Sequence, residues 1–497
     1  MERRKSRYYF SKSQKTSSEM GLKDAQNRFW GNISKEGLVF AIQIFLADIW
    51  KISKNSVMIA YQNLRDELRA DSKTRLKIEG FEKIRKHRPD YLILLFMGLI
   101  MLIGVITMYS LSPQRAAFLN KSYGGNYDSM HFFWRQIMSL GLGLVAFVAM
   151  SRVPISWIYR HSGKILAIGF VICAILAVLG FAKIPPAKCE LGACRWFKFG
   201  SVSVQPSEFL KVGVLIALAV FLGSKAREGK INDFRETILP SGLLVGLMLV
   251  FIAGFQKDLG TAISALAIVA FQFFMAGLNR KNVIAASLIG LVAIVGMILI
   301  APHRMARVMT FAGNENCSNL SSGEQKDEYH ICHAKIAIGS GGLLGVGIGN
   351  SVQATGYLPE AINDSVFAIL GETFGFIGLI IILAIFLALS MRILKVSAYL
   401  KNPASRVLAA GVCGWFVFHT VMNVAAMTGL LPLTGITMPL LSYGGTSILF
   451  ISGVLGLIFN ISAYTSFRQV DDFKEENEDS RSRGRLGRTR YASRRSF

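Results

Sequence analysis

The chain has 497 residues, of which 52% are hydrophobic and only 17% charged, and its mean hydropathy is +0.42. These proportions exclude a soluble globular enzyme and describe a polytopic membrane protein whose apolar surface faces lipid. The net charge of +24 would also suit a nucleic-acid binder. The basic residues, however, crowd into the tails and the short connections between apolar runs, as positive-inside topology and contact with anionic membrane lipids require, so no nucleic-acid partner is expected.

Residues 1–90 form an N-terminal extension that opens on Met1-Glu-Arg-Arg-Lys and a polar, basic stretch without the pattern of a signal peptide. Within it, the run Gly37–Trp50 is short and interrupted. It reads as an interfacial helix on the inner leaflet, with an additional crossing as the alternative. Runs long enough to cross about 30 Å of hydrocarbon follow at Tyr91–Leu111, Phe133–Met150, Ile165–Ala182, Pro206–Gly223, Ile238–Gly254, Thr261–Gly277 and Val283–Ala301, then at Val366–Met391, Val407–Met427 and Thr446–Ser466. Ten spans predict an all-α bundle over residues 91–466 with both termini on one side.

Cation counting assigns that side. Arg152, Arg160 and Lys164, then Lys225, Arg227, Lys230 and Arg235, then Arg280 and Lys281, then Arg392, Lys395, Lys401 and Arg406 fall in alternate connections, which are therefore cytoplasmic. Arg195, Lys198, Arg304 and Arg307 fall on the other side and are candidates for function. Residues 467–497 run from acidic to basic with few apolar side chains, the composition of a disordered cytoplasmic tail. Residues 302–365, between the seventh and eighth spans, make an outer loop far longer than an ordinary connection.

Cys189 with Cys194, and Cys317 with Cys332, fall in the two outer loops, where an oxidising exterior favours two disulfides. Cys317, His330, Cys332 and His333 offer a zinc ligand set instead, although their spacing matches no standard pattern.

The segment Tyr357–Glu372 sets Asp364 at the mouth of the eighth span and Glu372 inside it. Ionisable groups in hydrocarbon are costly and usually functional. Eight residues of helix separate the two carboxylates by roughly 12 Å, so they cannot easily serve one bond together. The glycine-rich run Gly339–Gly349 lacks the Gly-Lys-Ser/Thr of a nucleotide loop. It offers either close backbone packing, a flexible lid, or N–H groups turned toward a phosphate or sugar. The fourth span opens Gln205-Pro-Ser-Glu-Phe-Leu-Lys211, with Glu208 and Lys211 on one face as an ion pair. Asp258, in Gln256-Lys-Asp-Leu-Gly-Thr261, is a candidate cap for the sixth span. Arg195-Trp196 offers either a cation for a lipid-linked phosphate or a headgroup anchor.

In this order, Arg195-Trp196 with Gln205–Lys211, Gln256–Thr261, Ile338–Leu343, Tyr357–Glu360 with Asp364, and Pro439-Leu-Leu-Ser-Tyr-Gly-Gly-Thr-Ser447 resemble the SEDS family of FtsW, RodA and SpoVE, over residues 88–466. The resemblance implies a peptidoglycan glycosyltransferase that polymerises lipid II at the outer face of the cytoplasmic membrane with a class B penicillin-binding transpeptidase. It also implies cytoplasmic divisome or elongasome partners at the tails. Departures are specific: the family's His-Thr-Asp-Phe is Ile362-Asn-Asp-Ser365 here, its Gln-Pro-Asp is Gln256-Lys-Asp258, and its Gln-Ser before the glycine run is His333-Ala334. Leu370-Gly-Glu-Thr373 follows the FtsW pattern rather than RodA's.

Forming a β-1,4 link from an α-linked diphosphate donor is an inversion, which needs one general base for the acceptor 4-hydroxyl. Asp364 is the expected base, its basicity raised by partial desolvation. Arg195, Lys198 and a magnesium or manganese ion would hold the diphosphates. Glu208, Lys211 and Glu372 would form one ionic cluster, and Asp258, Thr261, Ser442 and Tyr443 would support the cavity. The alternatives are a flippase for the lipid-linked precursor, which shares the broken helices and intramembrane charges, and a noncatalytic scaffold for a transpeptidase.

Overall fold

Apolar runs of about 20 residues have one way to satisfy their backbone in lipid, the α-helix, and the structure, a computed structural model, is mostly helical. It describes residues 87–190, 193–200, 202–299 and 326–465, with residues 305 and 309. The interfacial-helix segment 37–50, the tail 467–497 and Cys317 lie outside the described residues. Among these residues, ten helices are long and apolar enough to cross a membrane. They are α1 (Tyr91–Tyr123), α2 (His131–Arg152), α3 (Ser162–Ala182), α4 (Pro206–Arg227), α5 (Phe234–Phe255), α6 (Leu259–Ala276) and α7 (Arg280–Leu299), then α9 (Val366–Tyr399), α10 (Pro403–Met427) and α11 (Gly445–Ser462), with the shorter helix α8 (Lys326–Ser340) between α7 and α9.

Local chemistry marks where these helices begin. Asp90 accepts from the Leu92 N–H at the start of α1, and Asn402 accepts from the Ala404 N–H at the start of α10. Pro206 and Pro403 occupy first-turn positions, where a missing N–H is harmless. The 34-residue α9 is interrupted at Gly375 (φ +66°), a backbone conformation that only glycine adopts at little cost.

The most buried spans are α4, α10 and α11. In lipid, helices associate through close packing of small residues rather than through a hydrophobic drive. A methyl group added to Gly456 of α11 would collide with the Phe147 carbonyl of α2, and one on Gly223 of α4 would lie 2.6 Å from the Ala404 Cα of α10. None of the most apolar window of α7 is buried.

One end of the bundle gathers the loops that cation counting grouped together. Asp90 pairs with Arg392 at 2.6 Å, Arg227 donates to Asn402 at 2.8 Å, and Lys230 pairs with Glu236 at 2.8 Å. There, burial between its neighbours pushes the Tyr159 phenol up, opposed by its hydrogen bond to Ser405 and by Arg227. The described chain also begins and ends at this place, since the His87 N–H donates to the Ala463 carbonyl.

Two features depart from a plain helix bundle. Residues 187–204 form a small antiparallel sheet of β1 (Ala187–Glu190), β2 (Ala193–Phe199) and β3 (Val202–Val204), which the hydropathy pattern did not disclose. Cys189 lies opposite Cys194 in the β1–β2 register, and the two form a disulfide. It rests on Gly180 near the end of α3, where an added methyl would meet the Cys194 sulfur at 2.8 Å. Second, the long connection between α7 and α9 is packed in its second half: Ile331, Cys332, Ala334 and Ala337 of α8 are buried.

Candidate functional site

The fourth span begins with an unusual cap. Gln205 occupies the cap position of α4 without capping it, and its side-chain amide instead donates to Asp258 at 2.8 Å. Asp258 is the cap of α6 that its sequence position predicts, accepting from the Thr261 N–H at 3.1 Å and the Thr261 hydroxyl at 2.8 Å. Arg195, on β2, donates to the carbonyls of Gln256 (3.3 Å) and Lys257 (2.8 Å). Its guanidinium therefore stitches the sheet to the α5–α6 turn, where Lys257 takes a left-handed conformation (φ +52°). Two donors expected for a lipid phosphate are thus directed at backbone. Lys198 is exposed, opposite Ser203 in the β2–β3 register.

One turn into α4, Glu208 and Lys211 pair at 2.8 Å with side chains almost fully buried. The Lys211 ammonium also lies 4.5 Å from the centre of the Trp415 ring, a cation–π contact strengthened by the absence of water. The Trp415 indole N–H donates to His419 Nε2 at 3.0 Å, which leaves the imidazole hydrogen on Nδ1, facing the Thr437 carbonyl at 3.4 Å. Among the described residues, the second Glu208 carboxylate oxygen and the Ser207 hydroxyl are buried without a protein partner, so the interior here is polar beyond what the protein itself satisfies.

Glu372 does not join this cluster. It accepts from the Ser351 hydroxyl at 2.5 Å, from the Val352 N–H at 2.9 Å and from the Gln353 N–H at 3.3 Å. The expected Lys211-centred triad is corrected to a pair, and Glu372 becomes the anchor of the turn at 351–353. A carboxylate held by several donors is a strong clamp, and the preceding glycine run explains how the turn reaches it. The N–H groups of Val346 and Gly347 donate to the Glu372 and Thr373 carbonyls, while those of Phe376 and Ile377 donate to Gly342 and Leu343. The Gly339–Gly349 run is close backbone packing against the interruption of α9, and these N–H groups face carbonyls rather than a phosphate.

Asp364 stands just before α9, partly exposed. The cap of α9 is Ser365, not Asp364, so helix capping does not account for the aspartate. Its backbone is fixed from two directions: the Asn423 amide donates to the Asp364 carbonyl at 2.6 Å, and the Tyr443 N–H donates to the Ile362 carbonyl at 2.9 Å. Its carboxylate faces Gly435, whose added methyl would come within 3.8 Å of it. Ser442 is buried and accepts from the Met438 N–H at 2.9 Å, shaping the 438–442 turn from within. The Tyr443 ring stands edge-on to Phe132.

The zinc alternative is overturned. Cys332 is disulfide-bonded, with its partner outside the described residues. His330 and His333 are engaged with Ser365 and Gln353, and no group of three metal-ligating side chains occurs among the described residues. On α8 itself, burial and the neighbouring Tyr357 phenol push the Tyr329 phenol up.

Trp415, His419 and Asn423 escaped the sequence reading. Their spacing of four along an apolar run, which puts three hydrogen-bonding side chains on one helix face, was the available signal. His330 stood out in the sequence only as a possible zinc ligand, and its contact with Ser365 carried no signal there.

The family model described as "Cell cycle protein", that of FtsW, RodA and SpoVE, matches residues 90–467. The chain is 34% identical over 385 residues to stage V sporulation protein E of Bacillus subtilis (77% of this chain, 99% of the relative). It is 31% identical over 349 residues to the probable peptidoglycan glycosyltransferase FtsW of Escherichia coli O157:H7 (70% and 80%). Among solved structures, the rod shape determining protein RodA of Thermus thermophilus superposes with a TM-score of 0.54 at 23% identity (75% and 96%). A chain from a study of polymerization and crosslinking by a peptidoglycan synthase complex gives 0.57 at 21% (75% and 97%). The likeness in fold and the family match over most of the chain agree: this protein is a member of the FtsW, RodA and SpoVE family, the SEDS proteins.

Proposed function

We propose that the chain is a peptidoglycan glycosyltransferase that polymerises lipid II into glycan strands for cell division or cell shape. The observation that carries the reading is Asp364: a partly exposed carboxylate, held by its backbone between α9 and α10 and not used as a helix cap, in a family whose curated members are named as such enzymes. Asp364 takes the proton of the acceptor 4-hydroxyl as that oxygen attacks the donor's anomeric carbon. The bond from this carbon to the diphosphate oxygen breaks, and the configuration inverts. Proton removal by a positioned base is worth about 10²–10⁴-fold in rate.

The exposed Lys198 offers the leaving diphosphate a cation. Among the described residues no three His, Cys, Asp or Glu side chains converge as a resident metal's ligands would. A magnesium or manganese requirement would therefore sit with the substrate diphosphate, and no step here is routed through it. We place the basic end of the bundle and both tails in the cytoplasm and the Asp364 end outside the cytoplasmic membrane. A class B penicillin-binding transpeptidase is the partner that would crosslink the product, and divisome or elongasome proteins would meet the tails.

Purified protein in liposomes with fluorescent lipid II tests this reading. Glycan chains that fall at least about a hundredfold in Asp364→Asn support the enzyme. The buried Glu208–Lys211 pair is the feature that a flippase would share. Precursor crossing the bilayer without polymer, in wild type and variant alike, would establish that reading. No polymer from the wild-type protein, with growth unaffected by Asp364→Asn but impaired by tail or interface changes, would leave only the scaffold.

A further inference from the structure

The segment that carries Asp364 is not a relaxed turn. Glu360 adopts a left-handed conformation (φ +48°), uncommon for a residue with a side chain. The N–H groups of Asn363 and Ser365 both converge on its carbonyl, at 2.9 and 3.3 Å. Strained backbone of this kind persists only where the surroundings over-determine it.

Ser365 shows what does so. A serine at a helix cap ordinarily accepts a hydrogen bond from an N–H of the first turn, yet Ser365 makes no side-chain cap bond. Its hydroxyl donates backward to the Pro359 carbonyl at 2.8 Å, and its oxygen lies 2.5 Å from His330 Nε2. Because the hydroxyl hydrogen is directed at Pro359, the histidine nitrogen is the donor. His330 is buried (8% exposed) on α8. The base is thus bracketed: Asn423 of α10 holds its own carbonyl, and His330 of α8 holds the next residue and, through it, the closure of the turn.

We infer that His330 is a positioning residue for Asp364, pinning the Pro359–Ser365 turn so that the carboxylate meets the acceptor hydroxyl. The inference rests on Asp364 being the base. It also assigns a task to one departure from the family pattern: the phenylalanine that usually follows the aspartate is Ser365 here, and His330, on a different helix, engages it.

The experiment compares His330→Ala, His330→Gln, Ser365→Ala and the double alanine variant in the lipid II polymerisation assay, with full-length protein, its transpeptidase partner and an Asp364→Asn control. A misplaced group costs up to about 100-fold in rate, so His330→Ala and Ser365→Ala are each expected to lower kcat by about tenfold or more with KM within about twofold. His330→Gln, which keeps an N–H donor, should recover kcat to within about threefold of wild type, and the double variant should fall no further than either single one. A merely structural residue would show neither the kcat-only loss nor the rescue by Gln. Wild-type kcat in either alanine variant, a loss confined to KM, no rescue by Gln, or multiplying losses would each overturn the inference. If His330→Ala melts early, Ser365→Ala alone decides. An active Asp364→Asn enzyme would defeat the base assignment itself, whereas insensitive His330 variants beside an inactive Asp364→Asn would defeat only the positioning role.

Discussion

Lys211 is a charged residue with 1% of its surface exposed, and burying a lone ammonium there would be costly. Glu208 neutralises it, Trp415 offers its ring face, and the Ser264 hydroxyl lies at a long 3.5 Å. Removing one member of a buried pair leaves the other uncompensated, at a cost of about 3–5 kcal/mol, whereas replacing both by matched neutral side chains is often close to neutral. Lys211→Ala is therefore expected to lower the melting temperature of the detergent-purified protein sharply. The double variant Glu208→Gln, Lys211→Met should recover most of that loss. A double variant as unstable as Lys211→Ala would show that the pair is not the source of the effect. Glu372, the other intramembrane carboxylate, has its negative charge met by hydrogen-bond donors instead of a cation. Two acidic residues that look alike in the sequence thus meet the same cost in different ways.

Elements here are joined where backbone meets backbone. The run Gly339–Gly349 lies against α9 so closely that a methyl on Gly345 (φ +83°) would collide with the Thr373 carbonyl. Gly345→Ala therefore meets both a disfavoured conformation and a clash, and the penalty should exceed the roughly 1 kcal/mol of an ordinary glycine effect. The expected signature is accelerated proteolysis within 341–360, with the spans intact; unchanged cleavage would argue that the run is free of α9. The element boundaries were largely legible, because apolar length, proline at a first turn and an aspartate cap such as Asp258 are local signals. The partners of Arg195 and Glu372 were not, because each lies on another element, set there by folding of the intervening chain.

At the scale of the molecule, the two ends of the described chain meet, and the basic connections gather beside them. If that end is cytoplasmic, a cysteine at the exposed Lys198 should react with an impermeant maleimide on intact spheroplasts, and one at Lys230 only after lysis; the reverse pattern would invert the topology. Cys189 and Cys194 form a disulfide, and Cys332 is disulfide-bonded as well. Intact mass after alkylation should show the buried Cys173 and Cys413 as the only thiols before reduction. Four further alkylations should follow reduction, and two would leave Cys317 and Cys332 unpaired with each other.

By itself the sequence determined the class, the ten spans, the Glu208–Lys211 pair and the candidacy of Asp364. All of these follow from composition, from runs of one kind of residue, or from neighbours on one helix turn. Tertiary structure alone decided that Arg195 grips a turn, that Glu372 anchors 351–353 and not Lys211, and that the glycine run is packing. It also decided that His330, Asn423 and Tyr443 converge on the segment of Asp364. Hydropathy is additive along the chain and can be summed from the sequence, whereas a hydrogen bond between residues 59 or 35 apart, as for Asn423 with Asp364 and His330 with Ser365, exists only once the helices that carry them have packed.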